Sequence, residues 1–217
     1  MLKPISPLFS HPAIPYILPF ATFLLLTELA RWVPNSLLWI YPLKTVITGG
    51  LLLWFRKTYS EIARDFSWLA VAVGVVVLLL WIPLYGGYLL VSEPEIVNPY
   101  ELAGSLALPW VAIRLFGSSI VVPVMEELFW RSFLLRYLVN SDFRQVPLGT
   151  LTPSALVISV ALFGAEHNQW FAGIIAGLLY TLLLYRTKSL FSCIVAHVVT
   201  NSLLGVYVLA TQKWQYW

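Results

Sequence analysis

Seven apolar stretches, most of them near the length needed to cross a lipid bilayer, leave this chain few choices of fold. They run over 14–32, 36–56, 67–90, 107–138, 151–167, 169–186 and 189–210, separated by charge, proline or asparagine. A spanning helix needs about 20 largely apolar residues, because backbone groups surrounded by hydrocarbon must find their hydrogen bonds within the segment. Of the 217 residues 59% are hydrophobic and 11% charged, too little polar surface to wrap a water-soluble globule. The expected fold is an all-α polytopic transmembrane helix bundle of about seven spans, six to eight being admissible. The single cysteine, Cys193, rules against a disulfide scaffold, and a net charge of +3 without a basic tract argues against a nucleic-acid partner.

The fourth stretch is long enough to break near Pro123. The first is too long, and too poor in a small-residue cleavage site, for a removable signal peptide, so it reads as an anchor. Lys and Arg near a membrane favour the cytoplasmic side. With the N-terminus inside, Lys3, Arg56, Lys57, Arg64, Arg136, Arg144, Arg186 and Lys188 lie inside, and Arg31 and Lys213 outside. The 91–106 loop, carrying Glu93, Glu95 and Glu101 and no Lys or Arg, then faces outward. Neither a repeat nor a soluble linker divides the chain, so 1–217 reads as a single integral membrane domain whose partner is the lipid bilayer. Ala172, Gly173, Ala176 and Gly177 suit close helix packing, and end-of-segment aromatics such as Trp32, Trp39, Trp214 and Trp217 suit interface anchoring.

Ionisable groups within a span cost roughly 2.5–3.5 kcal/mol each on insertion scales, so their positions carry information. They gather in three places: Glu126, Glu127 and Arg131; Glu166, His167 and Asn168; His197 and Asn201. Glu127 and Arg131 stand four apart with the acid first, the favourable order for an ion pair on one helix face. Glu126 lies about 100° around the helix and is left free. His197 and Asn201, also four apart, share a face. At 1.5 Å per residue from the inner ends, Glu126 and Asn201 lie ~18 Å deep, His197 ~12 Å and His167 ~24 Å, a spread that helix tilt absorbs. A carboxylate beside a histidine can take a proton from water, whose oxygen then attacks a carbonyl carbon. His197 and the Asn201 amide offer two donors for the oxyanion that forms.

These residues, in this order, resemble the three motifs of CAAX prenyl endopeptidase-like (CPBP or ABI) intramembrane proteases: Glu126-Glu127 with Arg131, Phe163 with His167, and His197 with Asn201. The likeness extends over about 107–210. It implies a glutamate-dependent endopeptidase in which Glu126 and His167 activate water, His197 and Asn201 line the oxyanion site, and Glu127 and Arg131 support them. It implies as substrate a membrane-associated peptide or protein, cleaved near its C-terminus and in some relatives lipidated, and no organic cofactor. Trp130-Arg131-Ser132 departs from the Phe-Arg-Gly frequent in the family, which reads as a difference in packing or access. The stretch from Glu166 to Trp170 looks more like the bacterial CAAX protease-related subgroup, which implies a bacterial inner membrane with a cytoplasmic N-terminus.

Other readings use the same residues. Glu126, His167 and His197 could bind zinc with an open fourth position, although the two-histidine HExxH helix is missing. A transporter or immunity-type binding protein could use the polar groups as a relay or docking pocket. Lys44 and Arg114 could snorkel, or pair with an acid such as Glu28, and Arg114 could receive a substrate carboxylate. Cys193, one turn before His197, reads as small apolar packing.

Overall fold

The structure is a computed structural model that describes residues 11–33, 36–63, 65–86, 89–92 and 96–217, apart from the side chains of Leu37 and Leu102. Of the residues used above to orient the chain, Lys3, Arg64, Glu93 and Glu95 lie outside those described. Among the described residues every regular element is helical. Seven apolar helices correspond to the seven stretches: α1 Ile14–Trp32, α2 Leu37–Trp54, α3 Trp68–Trp81, α4 Gly104–Tyr137, α5 Pro153–Glu166, α6 Trp170–Thr187 and α7 Leu190–Thr211. Four of them, α1, α4, α6 and α7, have the length and composition to cross a membrane, while α2, α3 and α5 are shorter apolar helices. The third stretch ends early, at Trp81, because a turn follows at Ile82-Pro83-Leu84.

Caps fix several of these boundaries. The hydroxyls of Ser67, Thr152 and Ser189 each accept a first-turn backbone N–H at 3.2 Å, opening α3, α5 and α7. Lys188, at φ 54°, closes α6 in the left-handed conformation, and Ser189 starts α7 directly after it.

The expected break at Pro123 does not occur. α4 runs unbroken for 34 residues, with π-helical turns at Gly117–Val121 and Leu128–Leu134. In the first of these turns the Val122 N–H reaches back five residues to the Gly117 carbonyl. The wider register takes up proline's ring and missing N–H without ending the helix. In that register the N–H absent from Pro123 would have met the Ser118 carbonyl, which is thus free to bond elsewhere.

Small residues set the packing around the future site. A Cβ on Gly173 would sit 3.0 Å from the Gly164 Cα and 3.1 Å from the His167 Cβ, so α5 and α6 can form their close hairpin only without one. A Cβ on Gly177 would come 3.0 Å from the Phe163 ring, and one on Gly74 would strike the Ala196 carbonyl and Val199 of α7. The small residues of α6 therefore do the packing expected of them.

At one end of the bundle, hydrogen bonds gather the start of α1, the loop after α2 and the end of α4. Glu61 accepts from Tyr16 at 2.8 Å, from Arg136 at 3.2 Å and from Ser132, and Arg136 also donates to the Ser132 hydroxyl at 2.6 Å. Lys188 reaches the Gly149 carbonyl at 2.8 Å at the same end. At the opposite end the Val91 N–H bonds Asn168 and Tyr216 bonds the Ile82 carbonyl.

Candidate active site

Glu126, His167, His197 and Asn201 line one cavity of 170 Å³ bounded by α3, α4, α5, α6, α7 and the segment after it. Glu126 is 5% exposed, and its Oε2 has no hydrogen-bond partner among the described residues. Burying such an oxygen unpaired is costly, and beside a cavity Glu126 is able to accept a hydrogen bond or a proton from whatever enters.

Glu127, fully buried on the neighbouring face, is already committed. Its Oε1 lies 2.9 Å from the His197 Nδ1, and its Oε2 lies 3.2 Å from the Arg131 Nε. The second contact is close enough for an ion pair, though its atoms are not aligned as a hydrogen bond. Arg131 lies over the Phe163 ring at 4.2 Å and donates to the Gly177 carbonyl at 3.3 Å. The glycine that admits Phe163 is thus also the one whose carbonyl holds the arginine. Glu127 and Arg131 pair as their spacing predicts, and the contact from Glu127 to His197, across 70 residues of chain, was not legible.

The histidines are oriented by different acceptors. The His167 Nδ1 lies 2.7 Å from the Phe163 carbonyl, which can only accept, so this nitrogen carries the hydrogen. In the neutral ring Nε2 is then an acceptor. His197 stacks on Tyr180, with centroids 5.0 Å apart, and spends its Nδ1 hydrogen on the Glu127 carboxylate. Its Nε2 donates only when both ring nitrogens are protonated. Asn201 donates one amide hydrogen to the Ser118 carbonyl at 2.8 Å, the acceptor released by Pro123, and keeps a second hydrogen. These contacts refine the expectation of two ready donors on one face: the asparagine has one to spare, and the histidine has one in its charged form.

Tyr180 and Thr200 had no role in the sequence reading, and Gly177 was read as a packing residue without its bond to Arg131. The Tyr180 hydroxyl donates to Thr200 at 2.8 Å, and Thr200 donates to the Gly74 carbonyl at 2.8 Å, tying α6, α7 and α3 together around His197. Thr200 lies three after His197, a local hint, whereas nothing in the sequence pointed to Tyr180. Glu166 accepts from the Trp130 indole at 3.1 Å, and Ser132 bonds Glu61, so both departures from Phe-Arg-Gly have polar partners of their own. Cys193 is fully buried and donates its thiol to the Tyr180 carbonyl at 3.4 Å. Glu28 pairs with Arg31 at 3.0 Å, so it is not the counterion suggested for Lys44 or Arg114. Among the described residues no group of three or more His, Cys, Asp or Glu is placed to hold a metal ion, which removes the geometric support for the zinc reading.

Residues 108–203 match the model of the family described as Rce1-like, type II CAAX prenyl endopeptidase Rce1-like. The match covers just under half of the chain and contains Glu126, Glu127, Arg131, His167, His197 and Asn201; α1, α2 and α3 lie outside it. No curated protein and no solved structure matches the chain. Together with its apolar helices, the match shows an integral membrane protein with a region similar to the CAAX proteases.

Proposed function

We propose that the protein is a glutamate-dependent intramembrane endopeptidase acting on a membrane-associated peptide or protein near its C-terminus. Glu126 as carboxylate takes a proton from a water that the His167 Nε2 orients by accepting its other hydrogen. The water oxygen bonds to the carbonyl carbon, and the carbonyl electrons move onto its oxygen. That oxyanion is received by the free Asn201 N–H and by the Nε2–H of doubly protonated His197. Before the attack Glu126 and Glu127 balance Arg131 and doubly protonated His197; once Glu126 has taken the proton, the oxyanion carries the charge in its place, so the buried cluster keeps no net charge. The carbon–nitrogen bond then breaks, and the proton held by Glu126 passes to the departing amine, restoring the carboxylate. Glu127 and Arg131 act through His197, by holding its ring.

The observation that carries this reading is the unpaired Glu126 oxygen on a cavity shared with both histidines and Asn201. The grouping of Arg56, Lys57, Arg136, Arg144, Arg186 and Lys188 near loops joined at one end supports a cytoplasmic N-terminus, and the likeness of the stretch from Glu166 to Trp170 to the bacterial subgroup supports a bacterial inner membrane. Residues 1–217 act on this reading as a single membrane domain. The test is mass spectrometry of membrane peptides incubated with purified wild-type and Glu126→Gln protein. Wild type is expected to cut a peptide bond and the variant to be slower by about 100-fold or more. Equal cleavage by a folded variant overturns the role of Glu126, and a wild-type protein that cuts nothing favours a relay or binding role.

A further inference from the structure

Beside the catalytic cavity lies a second one, of 630 Å³, which shares Arg114, His167 and Trp217 with it and extends to Lys44 of α2 and Thr27 of α1. Two cations meet there on one aromatic ring: the Tyr41 centroid is 4.0 Å from the Arg114 guanidinium carbon and 4.9 Å from the Lys44 Nζ. Lys44 is only 8% exposed. Neither has an acid within ion-pair distance among the described residues. The carboxylate that does line the chamber, Glu166, is engaged by Trp130.

The hydrogen-bonding inventory leans the same way. Lys44 spends one of its three hydrogens on Thr27 at 2.8 Å. The Arg114 Nε and the Trp217 Nε1 are buried without any partner. Three donor groups, two of them on cationic side chains, thus meet at a chamber next to the reaction site with hydrogens to spare. Buried like charges repel, and buried donors left unpaired are costly, so an anion with several acceptor oxygens held between them would balance the arrangement.

We propose that Lys44, Arg114 and Trp217 form a carboxylate-binding subsite that anchors the substrate's terminal carboxylate while the chain runs past His167 to Glu126. The subsite itself is independent of the peptidase reading, and its assignment to a peptide rests on that reading. The two lysine- and arginine-borne charges are suited to a carboxylate at the chain end or on an acidic last side chain. Arg114 lines the cavity of Glu126 as well as this chamber, so a chain held at the subsite can continue to Glu126.

The experiment reads binding in the Glu126→Gln protein, where turnover does not intervene. One peptide is offered in three forms: a free C-terminal carboxylate, a C-terminal amide, and an amide whose last residue is glutamate. The free acid is expected to bind about tenfold or more tightly than the neutral amide, the size of a charge-assisted hydrogen bond. Recovery of that affinity by the glutamate form assigns the carboxylate to a side chain, and no recovery assigns it to the chain end; both keep the subsite. Arg114→Gln and Lys44→Met, each added to the same protein, are expected to bring the acid-to-amide ratio to about threefold or less. Lys44→Met serves alone if Arg114→Gln does not fold. Equal binding of acid and amide by the parent, or an undiminished ratio in a folded variant, overturns the subsite. Preference for the acid without cleavage once Glu126 is restored keeps the subsite and removes the peptidase reading, while cleavage with no preference does the reverse.

Discussion

Two sets of buried ionisable residues occupy successive turns of α4, and they are built to opposite ends. The set around Ser132 and Arg136 is saturated: Glu61 receives Tyr16, Ser132 and Arg136, Arg136 also donates to the Ser132 and Val146 carbonyls, and none of these side chains has a buried polar atom without a partner. In the set around Glu126, Glu127 bonds His197 and pairs with Arg131, while Glu126, which lines the cavity, has neither an ion-pair partner nor a hydrogen bond to its Oε2 among the described residues. Both cost desolvation in a membrane protein. Only the second leaves part of that cost uncompensated, and it does so where two imidazoles and an amide share the same space. A charged residue in a span is thus weak evidence of function by itself; the unmatched bond is the stronger sign.

The largest effect that separates the two sets is the one expected of Glu126→Gln: peptide cleavage falls by about 100-fold or more, while thermal unfolding in detergent is unchanged or shifts upward, since no partner is lost. A large drop in stability with that substitution would break the comparison. Glu61→Ala should behave in the opposite way. Removing the hub strands Arg136 and is expected to cost about 3 kcal/mol of stability, read from unfolding curves, with the cleavage rate per folded molecule retained. Loss of activity in well-folded Glu61→Ala protein would show that the saturated set also serves the reaction. The smallest effect comes from the support of His197. Thr200→Val removes the acceptor of Tyr180 and the bond to Gly74, for about 1–2 kcal/mol of stability, and loosening of the stacked histidine should lower kcat several-fold with little change in KM. A pure KM effect would place Thr200 in substrate binding instead.

The two sets also differ in how far they could be read in advance. Glu127 with Arg131, and Phe163 with His167, are i, i+4 relations, which helix geometry turns into contacts without help from the rest of the chain. Even there the acceptor is the Phe163 carbonyl and the ring lies under Arg131, one residue serving two roles. The hub at Glu61 carried no signal, because it lies in a loop and its partners come from α1 and α4. Pro123 was read as a breaker, since an α-helical register has no room for it. The π turn supplied that room, and the carbonyl it released became the anchor of Asn201, 83 residues away. Lys44 and Arg114 could be marked as unusual, but not as companions, until α2 and α4 brought both onto Tyr41.

By itself the order of residues determined that this chain belongs in a bilayer, where its helices begin and end to within a few residues except at the early end of α3, and which polar side chains share a helix face. These properties follow from local sums of apolar surface and from a fixed rise and turn per residue. Tertiary structure alone decided that Glu127 would be spent on His197 as well as on Arg131, and that two cations would face one chamber. Such pairings depend on how closely helices approach, which is set by absent side chains at Gly74, Gly164, Gly173 and Gly177 acting together across distant parts of the chain.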